Sequence, residues 1–106
     1  MKNQKINNLD ELNKFLKTNQ TISLVSFYSP ICDPCLMLKP VLNEISQMNK
    51  INLFWINALE CPEIVSAFNV SQWPTTLIYD QEKLVENVLG YQPLVKWQSL
   101  LANLKN

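Results

Sequence analysis

Cys32 and Cys35 are separated by Asp33-Pro34 and stand between two segments of different periodicity. Ahead of them, Ile22 to Tyr28 is near-continuously apolar, in part β-branched or aromatic. That is the pattern of a central strand buried on both faces. Ser29-Pro30 breaks it. Behind them, Leu38, Val41, Leu42, Ile45 and Met48 recur at helical spacing, which predicts a helix with one buried stripe. A Cys-x-x-Cys at the junction of a strand and a helix is a redox motif first. It is a metal motif only with ligands from elsewhere.

The rest of the chain is ordered around this junction. Ile6 is expected to open a short edge strand. Asn8 and Glu11 have capping-box spacing. Leu9, Leu12, Phe15 and Leu16 then share one face of a first helix, roughly 9–17. The second helix is predicted to begin at about Asp33, with Pro34 in its first turn, where a missing N–H costs nothing. Pro40 lies well inside it. The stripe continues past Pro40, which predicts a kink and not a stop.

Ile51 to Ile56 reads as the next central strand. Asn57-Ala58-Leu59-Glu60 leads to a third helix, roughly 62–68, with Pro62 at its start. Trp73-Pro74-Thr75-Thr76 precedes a strand from Thr75 to Tyr79. Asp80-Gln81-Glu82-Lys83 is a polar hairpin turn, and Leu84 to Leu89 alternates as a strand that Gly90 ends. Pro93 starts a last helix with Leu94, Trp97, Leu101 and Leu104 on one face. The order is β-α-β-α-β-α-β-β-α. It implies an α/β fold, a mixed sheet with helices on both faces.

Composition narrows the function. The 106 residues suffice for one domain, 1–106. A content of 47 % apolar and 17 % charged residues can fill a core. The net charge is zero and no stretch is strongly basic, which argues against nucleic acid as the main partner. A single glycine means that left-handed turns are few or are served by Asn and Asp. Met1 to Asn8 has no apolar h-region, and no apolar run reaches membrane-spanning length. A cytoplasmic protein is expected. Three cysteines, an odd number, do not make a secreted disulfide framework. With no histidine and no second cysteine pair, a structural zinc site lacks its four ligands.

The element order, with Cys32-Asp33-Pro34-Cys35 opening the second helix, resembles the thioredoxin family over nearly the whole chain. Pro34 stands where that family carries proline in Cys-Gly-Pro-Cys. Pro40 matches its helix-kinking proline. Trp73-Pro74-Thr75 matches its cis-proline motif, usually Ile-Pro-Thr. Gly90 falls where it keeps a glycine beside the active site. There are departures. Ile31 replaces the usual Trp and Asp33 the usual Gly. Ser26 holds the place of a buried Asp, and Trp55 that of a Lys beside it.

The resemblance implies a thioredoxin fold and a thiol–disulfide oxidoreductase that reduces protein disulfides. No cofactor or metal would be bound. Electrons would come through a thioredoxin reductase, and the protein would act as a monomer.

Cys32 is the expected nucleophile, because free amides and the helix dipole at a helix N-terminus stabilise a thiolate. Cys35, about one turn on, is the expected resolving thiol. Asp33 opposes the thiolate. A carboxylate about 6 Å away at an effective dielectric of 20–80 costs the anion on the order of 1–3 kcal/mol before screening. Ser26 is a poor base, so Cys35 lacks the proton acceptor a carboxylate would supply.

An X-Pro bond is cis in only ~5–6 % of cases, so a cis Pro74 is expected from the family match alone. It would set the Trp73 backbone opposite the dithiol. Trp73, Tyr28, Ile31, Pro34 and Tyr91 are candidates for an apolar docking rim; Tyr28 also fits a core position. Cys61, before Pro62, reads as a small half-buried residue or a regulatory thiol. Trp55 and Trp97 read as core. The alternative function is a binding or scaffold module on the same fold with a weak or vestigial redox pair. Ser26, Ile31 and Trp55 favour that alternative; the intact dithiol with Pro34 and Pro74 opposes it.

Overall fold

In a computed structural model, which describes residues 2–18 and 20–104, the strands and helices alternate as the sequence predicts. They are β1 (Asn3–Lys5), α1 (Leu9–Thr18), β2 (Ile22–Tyr28), α2 (Asp33–Asn49), β3 (Asn52–Asn57), α3 (Pro62–Ala67), β4 (Thr75–Asp80), β5 (Lys83–Leu89) and α4 (Leu94–Leu104). The sheet order is β1-β3-β2-β4-β5. β3 is parallel to β1 and β2, while β4 is antiparallel to β2 and β5.

Side chains alternate across a strand, and each face of this sheet has its own core. Val25, Phe27, Phe54, Ile56 and Leu77 face α1 and α3 through Leu12, Leu16 and Ile64. Leu24, Leu53 and Ile78 face α2 and α4 through Leu38, Leu42, Ile45, Trp97 and Leu101. β2 lies mid-sheet between the two layers, and Ser23 to Phe27 are all buried. That explains its unbroken apolar run.

Four local differences have physical causes. Ile6 follows the first strand instead of opening it. β1 is polar because it lies at the sheet edge, held by Lys2 N–H to Asn52 Oδ1 at 2.8 Å and by Ile6 N–H to the Trp55 carbonyl at 2.8 Å. Met48 is 53 % exposed and leaves the buried stripe of α2. The hairpin turn is tighter than predicted, since Asp80 and Lys83 already pair. Left-handed backbone falls on Lys50, Asn69 and Gln81 as well as Gly90, so only Asn69 follows the expectation that Asn or Asp serves such turns. Lys50 closes α2, its N–H donating to the Gln47 carbonyl while Ile51 N–H donates to that of Ser46.

The capping at Asn8 is present, with Glu11 N–H donating to Asn8 Oδ1 at 3.1 Å. α2 runs through Pro40 without a break. Leu42 and Ile45, both fully buried beyond it, hold the helix together despite the absent N–H.

Candidate active site

β2 ends at Tyr28, and the chain turns through Ser29 and Pro30 into the head of α2. Ser29 is buried, and its hydroxyl accepts the Ile31 N–H at 3.4 Å. Cys32 is the N-cap residue of α2, in extended backbone with φ −113° and ψ 110°. Its sulfur accepts the Cys35 N–H at 3.2 Å. This is a capping interaction, in which a side chain takes up one of the free amides of the first turn. Cys32 and Cys35 are joined in a disulfide with their Cα atoms 5.2 Å apart. Cys32 is partly exposed, whereas Cys35 is only 6 % exposed.

The loop before β4 faces this helix end. The Trp73–Pro74 peptide is cis. Cys32 Sγ lies 3.8 Å from the Trp73 carbonyl oxygen. Gly90 closes the same corner, its N–H donating to the Pro74 carbonyl at 2.8 Å. Its φ is +74° and no heavy atom lies within 4 Å of where a Cβ would stand. The glycine therefore answers a backbone requirement, not a crowded one.

The structure brings most of the anticipated residues to one end of the sheet. Asp33 and Pro34 are exposed in the first turn of α2, and Pro74 is buried. Ile31 is 87 % exposed, and Trp73 and Tyr91 are each 36 % exposed. Tyr28 is half-buried, its ring edge-on to Trp55 at 6.1 Å between centroids.

Ser26 is fully buried on the α2 face of β2. Its hydroxyl pairs with that of Thr76 at 3.1 Å. Sequence reasoning misses Thr76, because it lies 50 residues away; only the antiparallel register of β2 and β4 places it directly opposite.

Two residues differ from expectation. Trp55 is half-buried rather than core, its indole N–H donating to Asn3 Oδ1 at 3.0 Å. Cys61 is buried, not half-buried, and sits in the α1/α3 core on the other face of the sheet, with Sγ 3.8 Å from the Ile6 carbonyl. Burial, then the carboxylates of Glu63 and Glu60, push its thiol pKa up, so it stays protonated and unreactive at neutral pH.

A cavity of about 360 Å³ adjoins Cys35, lined by Tyr28, Ser29, Pro30, Leu36 and Trp55 and by Lys5 and Lys39. Lys5 pairs with Glu60 at 2.8 Å. That hydrogen bond, with the nearby Tyr28, raises the Lys5 pKa. No group of metal-ligating side chains occurs among the described residues. No helix among them is long and apolar enough to cross a membrane.

A two-cysteine helix head on this α/β sheet defines a thiol–disulfide oxidoreductase: the pair cycles between dithiol and disulfide, which moves two electrons. Comparison with known proteins narrows the class. The family model described as Thioredoxin matches residues 3–103. A thioredoxin from Alicyclobacillus acidocaldarius is 33 % identical over 82 residues, covering 76 % of this chain and 78 % of that one. A chloroplastic M-type thioredoxin from Triticum aestivum is 35 % identical over 72 residues, covering 66 % of this chain and 41 % of that one. A solved thioredoxin variant from Halobacterium salinarum superposes with a TM-score of 0.88 at 25 % identity, covering 96 % of this chain and 89 % of that one. The chain belongs to the thioredoxin family.

Proposed function

We propose that the protein works in the reducing direction, with Cys32 as nucleophile and Cys35 as resolving thiol. What supports this assignment of roles above all is the unequal exposure of the two cysteines at one helix end. Cys32 can be reached from solvent, and the 3.2 Å contact from the Cys35 amide is available to a thiolate. Cys35 is covered. In the reduced protein the Cys32 thiolate attacks one sulfur of a target disulfide. A mixed disulfide forms and the target's other sulfur leaves as a thiolate. Cys35, having lost its proton, then attacks Cys32, and the second target thiol is released. The chain is left with the Cys32–Cys35 disulfide, two electrons short.

Supporting roles follow from position. The Trp73 carbonyl beside Cys32 Sγ is placed to meet an extended target segment, with Pro74 and Gly90 fixing that loop. Ile31, Pro34, Trp73, Tyr91 and the half-buried Tyr28 make up the apolar rim. Asp33 weakens the Cys32 thiolate. Ser26, paired with Thr76, offers Cys35 no base.

Thioredoxins act on disulfide substrates and are reduced by thioredoxin reductase. For this chain we take such a reductase as the electron donor, in the cytoplasm, with the protein acting as a monomer that holds no cofactor and engages neither membrane nor nucleic acid. A Cys35→Ser variant tests the order of attack. It should accumulate a mixed disulfide between Cys32 and a disulfide-bearing protein, visible as a mass increase. Accumulation in Cys32→Ser through Cys35 would reverse the two roles.

A further inference from the structure

The cavity beside Cys35 has no part in the steps above. Three residues of one α2 face line it, Cys35, Leu36 and Lys39, spaced so that they neighbour one another on the helix. Across from them are Pro30 and the edge-on pair of Tyr28 and Trp55. The walls are thus mostly apolar and aromatic, with Ser29 among them. The margin is basic. Lys5 is engaged by Glu60, but Lys39 has no ion-pair partner among the described residues. Leu36, on the cavity wall, is 61 % exposed, and Ile31 beside Cys32 is 87 % exposed, so apolar side chains are open to solvent at both the dithiol and the cavity. The cavity lies at the carboxyl ends of β1 and β2, beside Trp55 of β3, on the side where open α/β sheets place ligands.

Resting on the reductase reading, we propose that this cavity is a side-chain subsite for target proteins. Its occupant is a large apolar or aromatic side chain near the target's disulfide cysteine, with an adjacent Asp or Glu facing Lys39. The walls exclude a charged occupant, since an unpaired charge buried there is costly. The aromatic pair and Pro30 offer the rigid, desolvated pocket in which an anchoring side chain binds best. Lys39 supplies the only uncompensated charge among the described residues at the mouth, and it is positive. Cys35 itself lines the cavity. The Cys32 and Cys35 Cα atoms are 5.2 Å apart and Cys35 lines the cavity; an extended segment advances roughly 3.3 Å per residue, so an anchor about two residues from the target cysteine spans that distance.

Peptides whose single cysteine forms a mixed disulfide with 5-thio-2-nitrobenzoate provide the probe. The reduced protein supplies two electrons and is left as the Cys32–Cys35 disulfide; the chromophore leaves as its thiolate, the peptide as its thiol, and the remaining proton goes to solvent. One series carries Phe-Asp two residues from the cysteine, on either side; the other carries Gly-Asn. The ratio of the two second-order rate constants on one protein cancels any change in thiol reactivity.

The subsite gives the wild type a preference on the order of tenfold for a Phe-Asp peptide. Leu36→Ser and Lys39→Gln each cut that ratio at least about threefold, and 0.5 M salt reduces only the Lys39 part. Met37→Ser, on an exposed residue outside the cavity, leaves it unchanged. An equal rate for all peptides would overturn the subsite alone, as would a preference insensitive to both substitutions. No chromophore from any peptide would overturn the subsite together with the dithiol reading.

Discussion

In the proposed mechanism, Asp33 and Ser26 bear on different sulfurs. Asp33 is exposed beside Cys32, where water screens its charge. Its opposition to the thiolate therefore lies near the weaker end of the Coulomb range, about 0.7 kcal/mol. The helix dipole contributes a comparable amount in the opposite sense. Asp33→Gly should make the Cys32 thiol more acidic, by about threefold in the ionisation constant. Ultraviolet titration of the thiolate in the reduced protein checks this; an unchanged or less acidic thiol contradicts it.

Ser26 is buried and its hydroxyl bonds to Thr76. Replacing it with Asp puts a proton acceptor on the α2 face of β2. Ser26→Asp should speed resolution of the mixed disulfide in single-turnover experiments. It should also cost about 1–3 kcal/mol of stability, since Thr76 alone does not compensate a buried carboxyl. Unchanged resolution would remove the role assigned to this position. That Ser26 is not a base can be read from its chemistry; its partner cannot, because the pairing is set by strand register.

At the scale of elements, legibility follows burial. β2 and α2 declare themselves because one is buried on both faces and the other along a stripe. β1 does not. Asn3, Gln4 and Lys5 carry no apolar alternation, and their place is fixed by backbone pairing to β3. Met48 fits the helical period, yet it lies in the last turn of α2, where the sheet no longer covers it. The loop that carries Gly90 links β5 to the cis-proline corner, and that role is visible only through the family likeness. Gly90→Ala should cost about 1–2 kcal/mol, the penalty of a left-handed L-residue. No clash adds to it, since no heavy atom lies within 4 Å of a Cβ built there. Chemical denaturation measures this; a loss well above that range, or none, would contradict a purely backbone requirement.

For the whole molecule, the alternation of strand and helix periods along the chain is enough to imply the layers and the element order. It does not reveal the cavity beside Cys35. Lys5, Tyr28, Leu36 and Trp55 come from four separate elements, and nothing in their spacing announces that they meet. Nor does it tell that Cys61 is sealed in the layer opposite the dithiol. The central claim concerns Cys32 and Cys35 acting together on a protein disulfide. Reduction of insulin disulfides with dithiothreitol as electron donor tests it most directly, with Cys32→Ser assayed beside the wild type. Catalysed precipitation of insulin by the wild type, falling to the uncatalysed rate in the variant, is the predicted result. Equal catalysis by both would contradict it; none by a correctly folded wild type would contradict it and favour a binding module built on the same fold.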